Sequence, residues 1–455
     1  MLRFMTAGES HGKGLVTIID NFPAGVKIDE YFINEKLALR QSGYGRGARQ
    51  KIETDKIEFI SGVRGGLTTG SPISFFIKNK DYENWLERMD VYKPVSEDSK
   101  IHIPRPGHAD FAGSIKYNLD DIRNVLERSS ARETASRVAV GAICEILLRE
   151  FGIEFSSAVL SIGGIGADDC GKYDDATDDN SSGDTSAGKS NRAYHHRISN
   201  SVYNSKEKSQ VKGKSKDDAA LAVDLFDDKI LLNIKNSNLR MPFPKKEQSV
   251  KALIDELKKE GNTAGGIIIA QVKNVPIGLG SFTQWDEKLD AHIAMSLMSI
   301  QAIKSVEIGA GLKAGYMWGS DFQDSIYCSS CSDFKNSSKE EIRKKYYRKT
   351  DNAGGIEGGM SNGEIISVKC AMKPIPTLMK PYLDTVDLRT GEQEKAFLER
   401  SDVCAVPAAS IVCEAALSYS ICLFFLKKFG GDSTVEIIRN YEGYNKQVYN
   451  AQNCR

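Results

Sequence analysis

The sequence predicts an α+β protein in which helices and strands are mixed without the regular alternation of a parallel βαβ fold. Short apolar runs typical of buried strands lie at residues 15–19, 57–60, 72–77, 154–162 and 265–273. Helical patterns cover residues 30–41, 131–150, 249–260, 289–306 and 406–426. With 455 residues the chain can bury an ample core, as one large domain or as two to three ordinary ones.

The composition of the chain argues against several classes of protein. The chain has 61 basic and 61 acidic residues, which argues against attraction to nucleic acid or to a membrane surface by bulk charge. Nine irregularly spaced cysteines are typical of a reducing cytoplasm. No signal peptide is expected before the motif at residues 8–12. The apolar run 406–426 contains Glu414, so we expect a buried helix in a cytoplasmic protein.

The first motif is Gly-Glu-Ser-His-Gly at residues 8–12, followed by the predicted strand 15–19. Flanking glycines let the backbone approach a ligand closely, which would make His11 a candidate acid or base. The motif alone slightly favours the alternative, a turn histidine that faces water.

A glycine-rich basic loop follows the first helix. Asp29 is predicted to cap a helix over residues 30–41. Arg40 near its end is followed by Arg46 and Arg49, which alternate with glycines. Guanidinium groups in such a loop suit phosphate ligands, although a solvated surface loop is the commoner interpretation of this pattern alone.

Residues 105–141 hold an unusual density of titratable and hydroxyl side chains. Their first part is rich in proline and glycine and is predicted to present His108 and Asp110 from a fixed loop. A helix is predicted from Ala131 onward, with residues 128–130 at its N-terminus. Serines and free backbone N–H groups there predict a site for a phosphorylated or carboxylated ligand.

The C-terminal half contributes three further motifs. Five glycines in residues 351–363 predict close approach of the backbone to something flat or bulky, and the spacing does not fit a dinucleotide fingerprint. Two prolines hold residues 373–377 extended. Asp402 precedes the apolar helix 406–426, where it could be functional or could simply cap the helix.

Two polar segments interrupt these motifs and are predicted to be insertions, at residues 167–216 and 320–349. The first is a low-complexity segment whose composition predicts disorder. It contains His195 and His196, which are expected to be solvated because no matching ligand spacing accompanies them. Cys328 and Cys331 lack a second pair, so no metal site is predicted.

Taken together and in order, these motifs closely resemble the chorismate synthase family. The resemblance spans nearly the whole chain apart from the two insertions. The segments that carry it are GESHG (8–12), the Arg40–Arg49 loop, RPGHAD (105–110), RSSARETASRVAVGA (128–142), MSIQAIKSVEIG (298–309), DNAGGIEGGMSNG (351–363), KPIPT (373–377) and RSDVCAVPAAS (400–410).

The resemblance implies one large α+β domain over residues 1–455, with helices sandwiched between antiparallel sheet layers, assembled as a homotetramer. It implies a carbon–oxygen lyase (EC 4.2.3.5) of the shikimate pathway to aromatic amino acids. The reaction would be the 1,4-anti elimination of phosphate from 5-enolpyruvylshikimate 3-phosphate to give chorismate. Reduced FMN would lend an electron transiently, without net redox change.

The resemblance also implies roles for individual residues. His11 matches a histidine thought to protonate the leaving phosphate, His108 one that stabilises or protonates the reduced flavin, and Asp402 a carboxylate implicated in removing the ring hydrogen through the flavin. Ser10 and Ser129 match serines that support this network. FMN-contacting positions are matched by Arg128, Ser129, Ser130, Gln301, Ala302, Gly358, Lys373, Pro374, Ile375, Pro376, Thr377 and Arg400. Arg40 and Arg46 match positions assigned to nicotinamide or substrate contact, and Arg46, Arg132 and Arg137 are our candidates for the substrate anions.

Two alternatives stay open. The first is a flavin-dependent oxidoreductase or flavin reductase with net hydride transfer. Because the family includes members that reduce their own flavin with NADPH, NADPH is considered only as a reductant here, and the lack of a recognisable nicotinamide-binding domain favours dependence on an external flavin reductase. The second is an RNA-binding module built on the Arg/Gly loops, which the zero net charge disfavours.

Overall fold

The computed structural model describes residues 1–47, 54–166, 223–328, 346–396 and 402–452. Apart from Val223, these residues pack as one compact unit. Its α-helices are α1 (Glu30–Gln41), α2 (Asp110–Tyr117), α3 (Arg123–Ser129), α4 (Thr134–Arg149), α5 (Asp228–Asn236), α6 (Glu247–Glu260), α7 (Leu289–Met298), α8 (Gly319–Phe322), α9 (Val406–Phe429) and α10 (Thr434–Gln452). Its strands are β1 (Arg3–Ala7), β2 (Gly14–Asp20), β3 (Glu58–Ser61), β4 (Val63–Arg64), β5 (Leu67–Thr68), β6 (Ile73–Lys78), β7 (Glu154–Ile162), β8 (Ile165–Gly166), β9 (Gly266–Lys273), β10 (Ile303–Ile308), β11 (Ile326–Cys328), β12 (Tyr346–Arg348), β13 (Ile356–Glu357), β14 (Met360–Ser361), β15 (Ile366–Met372), β16 (Asp384–Val386) and β17 (Gln393–Lys395).

Two larger antiparallel sheets form the outer layers. The first has the strand order β1-β2-β6-β3 and the second β10-β15-β9-β7-β8. In the first sheet, alternate residues such as Leu15, Ile19 and Phe75 are buried, while Met5 and Ile18 on the other face are exposed. This alternation is what one buried face of an antiparallel sheet produces. Strand β7 is buried along nearly its whole length, as expected at the centre of a layered core.

A helical layer lies between the two sheets. Helix α9 packs on strands β7 and β9, and α4 contacts β2 of the other sheet, while α1, α4 and α7 pack against α9 or each other. At the crossing of α4 and α9, a Cβ on Gly141 would lie 2.4 Å from Ala415 Cα, so only glycine permits this close approach. The predicted α+β fold with helices between antiparallel layers is confirmed.

Helix α9 is long and apolar enough to cross a membrane by length and composition, and 89% of its most apolar window is buried inside the protein. Its glutamate, Glu414, is buried and forms an ion pair with Lys36 of helix α1. The same lysine Nζ lies 3.1 Å from Glu145 Oε2 of helix α4. The predicted buried helix is therefore confirmed, and an internal ion cluster links three helices of the central layer.

Several elements agree closely with the local sequence patterns. Helix α1 spans the predicted residues, and the Asp29 carboxylate accepts a hydrogen bond from the amide of Phe32 as an N-cap should. Helix α6 ends at Gly261, which has φ +75° and closes the helix in the left-handed conformation. These signals are local, which is why the sequence alone was sufficient.

The predicted helix over residues 289–306 is wrong in its second half. Helix α7 ends at Met298, and after a turn in which Ala302 has φ +68° the chain continues as strand β10. The β-branched residues Ile303 and Val306 pair with β15. A long-range sheet partner, which the sequence pattern does not reveal, thus overrides the local helical pattern.

The predicted insertions are covered only in part. Residues 167–216, with His195 and His196, lie outside the described residues. Within 320–349, the described ends include most of helix α8 and the antiparallel pair β11–β12. Cys331 also lies outside the described residues, so the interpretation of both segments as insertions stays a prediction.

Candidate active site

His11 is buried under helix α3, in the connection between β1 and β2. Its ring Nδ1 lies 2.9 and 3.0 Å from the two carboxylate oxygens of Glu127, and its backbone N–H donates to Glu127 Oε2 at 2.7 Å. Only 8% of the residue is exposed. The slightly favoured alternative, a turn histidine that faces water, is therefore wrong.

The Glu127 carboxylate fixes the tautomer of His11. Burial raises the pKa of Glu127, but hydrogen bonds and charge from His11 outweigh burial, and the pKa falls below its usual value. An ionised carboxylate can only accept hydrogen bonds, so Nδ1 carries a proton. The ring nitrogen left to exchange a proton with a ligand is Nε2.

Arg40 and Arg132 share one buried carboxylate, Asp55. Arg132 Nη1 lies 2.5 Å from Asp55 Oδ1, and Arg40 Nη1 lies 3.4 Å from Oδ2. Arg40 also donates from Nε to Thr134 Oγ1 and from Nη2 to the carbonyl of Ala131. Burial is the main cause that lowers the pKa of Arg40 to about 10. Arg40 is thus engaged at all three guanidinium nitrogens by the protein itself.

Arg46 and Asp402 form a second ion pair close to this group. Arg46 Nη1 lies 2.7 Å from Asp402 Oδ2, and Asp402 Oδ1 accepts a hydrogen bond from the amide of Gly47 at 2.5 Å. The N-cap residue of helix α9 is Ala405, without a side-chain cap, so the alternative that Asp402 caps this helix is wrong. Arg49 and Arg400 lie outside the described residues.

The predicted helix N-terminus at residues 128–130 is wrong for its first two residues. Arg128 and Ser129 form the end of helix α3, and only Ser130 acts as an N-cap, because its Oγ accepts from the amide of Arg132. Helix α3 ends at Ser129, and a short 3-10 turn, Ala131–Glu133, precedes α4. The prediction of an anion site at residues 128–130 stays a prediction.

These side chains hold the edge of strand β1. The Arg128 guanidinium donates to the carbonyl and hydroxyl oxygens of Thr6 at 2.9 and 2.8 Å. The Ser130 hydroxyl donates to Ser10 Oγ at 3.2 Å, next to His11. The Ser129 hydroxyl points back to its own helix, to the Leu126 carbonyl at 3.5 Å.

Glu133 connects this edge with the residue pair 301–302. Arg137 Nε lies 2.9 Å from Glu133 Oε2, and Arg137 Nη1 donates to Ser299 Oγ at 2.6 Å. Gln301 Nε2 lies 3.5 Å from Glu133 Oε2, while the buried Gln301 Oε1 has no hydrogen-bond partner among the described residues. Gln301 therefore presents an acceptor that a ligand could satisfy.

His108 lies against the segment 373–377. Its Nε2 is 3.1 Å from Thr377 Oγ1, and Lys373 Nζ donates to the carbonyl of Gly107 at 2.6 Å. Burial first, and then the charge of Arg105, lower the pKa of His108 to about 4. His108 is therefore neutral at pH 7 in the free protein.

The expectation that the same loop presents Asp110 is wrong. Asp110 is fully buried at the start of helix α2, and both carboxylate oxygens bind Arg105, with Nε at 2.8 Å and Nη2 at 3.1 Å. This ion pair joins the two ends of the loop. At His108, the charge of Arg105, which lowers the pKa, opposes the charge of Asp110, which raises it.

The glycines of residues 351–363 approach the protein's own backbone. A Cβ on Gly354 would lie 2.3 Å from the amide nitrogen of Gly309. Gly358 and Gly359 have φ +59° and +82° in the two-residue turn between β13 and β14, the conformation of a type I′ turn. A Cβ on Gly358 would meet open space, so the backbone conformation, rather than a crowded contact, explains this glycine.

One series of contacts joins predicted residues from the Arg46–Asp402 pair to the His108 loop. The Arg46–Asp402 pair is close enough to affect the pKa of Arg40, which reaches Arg132 through Asp55. Arg132 follows Ser130, which binds Ser10 beside His11. On the other side, the amide of Lys373 donates to the Ala302 carbonyl and so connects Gln301 with the His108 loop.

Three residues organise this site although no sequence motif points to them: Glu127, Asp55 and Asn79. Asn79 is fully buried; its side-chain amide donates to the carbonyls of Glu9 and Gly12, and its oxygen accepts from Arg132 Nε. Glu127 and Asp55 are single carboxylates far from their partners along the chain. Only general chemistry could have indicated them, because a histidine that donates a proton and a pair of buried arginines need negatively charged partners.

Comparison with known proteins gives a consistent result. The chorismate synthase family model matches residues 2–426. Chorismate synthase from Alkaliphilus metalliredigens is 46% identical over 444 residues, 98% of this chain and 99% of that one. The protein of the same name from Sulfurihydrogenibium sp. is 44% identical over 451 residues, 99% of this chain and 100% of that one. A crystal structure of chorismate synthase superposes with TM-score 0.68 at 36% identity, covering 99% of this chain and 98% of that one. Such similarity along nearly the whole chain shows that it belongs to the chorismate synthase family.

Proposed function

We propose that this chain eliminates phosphate from 5-enolpyruvylshikimate 3-phosphate in a 1,4-anti sense to give chorismate. The observation that carries the proposal is His11, buried with its Nδ1 on Glu127, in a network that contains Arg132 and the Arg46–Asp402 pair. Such a group matches a substrate with one phosphate and two carboxylates, whose leaving phosphate needs a proton donor.

His11 and the arginines divide the work at the anionic end of the substrate. His11 donates the proton from Nε2, and the Glu127 carboxylate compensates the charge of the imidazolium. Arg46, Arg132 and Arg137 are our substrate-binding candidates. Arg40, whose nitrogens bind protein atoms, acts as a positioning residue that keeps Asp55 and Arg132 in place.

The family implies a requirement for reduced FMN, and several residues of the network fit this cofactor. The Gln301 oxygen lacks a donor that an isoalloxazine N–H can supply, and Arg128 and Lys373 are cations suited to the cofactor phosphate. We assign cofactor contacts to these residues together with Ser129, Ser130, Ala302, Gly358, the segment 373–377 and Arg400. The chemistry that bound reduced FMN supplies is a transient electron, returned when the ring hydrogen leaves.

The remaining roles belong to His108 and Asp402. His108 is neutral in the free protein, so it donates a hydrogen bond to the cofactor and takes up a proton only where an anion lies beside it. The Asp402 carboxylate is the final acceptor of the ring proton, and its ion pair with Arg46 fixes its position. Ser10 supports His11 through its contact with Ser130.

The decisive experiment is anaerobic turnover of 5-enolpyruvylshikimate 3-phosphate by the pure protein with chemically reduced FMN. We expect equal amounts of chorismate and phosphate and no net oxidation of the flavin. Stoichiometric flavin oxidation would instead support the alternative, an oxidoreductase with net hydride transfer.

We further propose that the protein acts in the cytoplasm as a homotetramer and depends on an external flavin reductase. Incubation with FMN and NADPH under anaerobic conditions tests the reductant. We expect the flavin absorbance to persist, whereas bleaching without added reductase would show a bifunctional enzyme. Sedimentation equilibrium tests the tetramer.

A further inference from the structure

The indole of Trp85 stacks on the imidazole of His11. The ring centroids are 4.0 Å apart and the ring planes are inclined by 31°. Trp85 follows the 3-10 turn Lys80–Asn84, and its amide donates to the carbonyl of Tyr82 at 2.8 Å. Neither the arginines nor the Glu127 hydrogen bond requires this indole, so the stack is a separate constraint on His11.

One buried residue anchors both rings. The side-chain amide of Asn79 donates to the carbonyls of Glu9 and Gly12, which lie on either side of His11, at 3.0 and 2.8 Å. The turn that carries Trp85 begins at the next residue, Lys80. The His11 loop and the Trp85 turn are therefore fixed to each other at the backbone.

Cationic side chains face the same indole. The Arg123 guanidinium carbon lies 5.1 Å from the ring centroid of Trp85, and that of Arg88 lies 5.5 Å from it. Arg123 Nη1 is also 3.4 Å from Glu127 Oε1, the oxygen that binds His11. An aromatic face attracts cations, so Arg123 connects the indole with the carboxylate.

The charges around His11 therefore come from three elements. Helix α3 contributes Glu127 and Arg123, the turn after Lys80–Asn84 contributes Arg88, and the loop of His11 itself contributes Glu9, whose carboxylate lies against Gly12. The ring face of Trp85 is the uncharged surface that these charged side chains and His11 share.

We infer that Trp85 is a positioning residue for proton transfer by His11, and that Arg123 holds the indole and Glu127 in register. A single hydrogen-bonded edge leaves an imidazole free to tilt, whereas a ring stacked on its face removes that freedom. Nε2 then points in one direction, as proton transfer to a departing phosphate requires. The inference rests on the proposed function, since His11 is taken as the donor to that phosphate.

A fluorescence comparison tests the contact without substrate or cofactor. The chain has three tryptophans, and Trp285 and Trp318 are 79% and 80% exposed. In the double variant Trp285→Phe, Trp318→Phe, Trp85 is the sole emitter. The imidazole of His11 covers one face of this indole, so we expect acrylamide to quench Trp85 more strongly when His11→Ala is added. Equal quenching with and without His11 overturns the inference.

Kinetics test the positioning role. We expect Trp85→Ala to lower kcat about tenfold to a hundredfold with KM changed less than about twofold, because the reacting geometry is lost while substrate binding persists. Trp85→Phe should recover most of kcat because it restores a ring face. Trp285→Ala, which removes an exposed indole from the 3-10 turn Trp285–Glu287, is the matched control and should match the parent.

The outcomes separate this inference from the proposed function. A parent protein that does not convert the enolpyruvyl substrate overturns both. An active parent whose kcat is unaffected by Trp85→Ala, or whose Phe and Ala variants are equally slow, overturns the positioning role alone. Circular dichroism checks folding, and if the Ala variant does not fold, the Phe variant and the fluorescence comparison decide.

Discussion

The two candidate histidines lie in opposite electrostatic surroundings. His11 shares its Nδ1 proton with the ionised carboxylate of Glu127. Among the described residues no carboxylate binds His108, and the nearby carboxylate of Asp110 is bound by Arg105 on both oxygens. Burial and the positive charges of Arg105 and Lys373 then lower the pKa of His108 to about 4.

Whether a carboxylate binds the ring therefore distinguishes the two candidate roles. A carboxylate on Nδ1 stabilises the charged ring and suits His11 to donate a proton. Burial, and then the charge of Arg105, keep His108 neutral and suit it to hydrogen bonding with a flavin that is itself electron-rich. In the sequence both residues are histidines next to a glycine, and nothing local separates them.

The largest loss of kcat is expected when the imidazole ring of His11 or of His108 is removed. We expect His11→Ala and His108→Ala each to lower kcat at least about a hundredfold, since each removes a group that acts on the reacting species. Only His108→Ala should also weaken FMN binding, measured by quenching of flavin fluorescence. His195→Ala, in the predicted low-complexity insertion, is the control. Near-full activity in either variant would remove that histidine from the mechanism.

A smaller effect should follow from Glu127→Gln, which makes the surroundings of His11 more like those of His108. The charged ring loses its counter-ion, so steady-state kinetics should show kcat lowered about tenfold at pH 7 with KM changed less than about twofold. The control is Glu35→Gln, at an exposed glutamate of helix α1. A kcat equal to that of the parent would show that Glu127 does not support proton donation by His11.

The site shows what the sequence could and could not predict. The resemblance singled out His11, His108 and Asp402 as candidates because their motifs are contiguous. Glu127 lies 116 residues from His11, and no spacing rule joins a lone carboxylate to a lone histidine at that distance. Asp55 escaped prediction for the same reason, since its role exists only once Arg40 and Arg132 meet.

The elements of the fold also fall into those that the sequence predicted and those that it did not. The Asp29 cap and the Gly261 stop act within one helical turn, so the bounds of α1 and α6 followed from the sequence almost directly. Residues 303–308 become a strand because β15 supplies the pairing, a contact that is formed only in the folded chain. Local rules therefore predict elements whose energetics are local, and fail where a distant partner decides.

The lowered pKa of His108 should also make the free energy of unfolding depend on pH. The unfolded histidine binds a proton below about pH 6.5, whereas the folded one does so only below about 4. Between these values the unfolded state holds more protons, so the free energy of unfolding falls as the pH drops. We expect His108→Gln to remove about 1–2 kcal/mol of this acid sensitivity, after allowance for solvent screening. Urea unfolding at pH 7 and pH 4.5 measures it, and identical slopes with pH in parent and variant would contradict a neutral buried His108.

The smallest effect is expected from deletion of residues 174–212, inside the predicted insertion 167–216. The hydrogen-bond partners of His11 and His108 named above all come from other parts of the chain. A polar, low-complexity segment buries little apolar surface, so its removal should change kcat less than about twofold and leave FMN affinity unchanged. Steady-state kinetics and thermal unfolding compare the deletion variant with the parent. The deletion could instead lower kcat or FMN affinity as much as His11→Ala or His108→Ala does. The segment would then support that histidine, and Glu127 and Arg105 alone would not explain the difference between the two histidines.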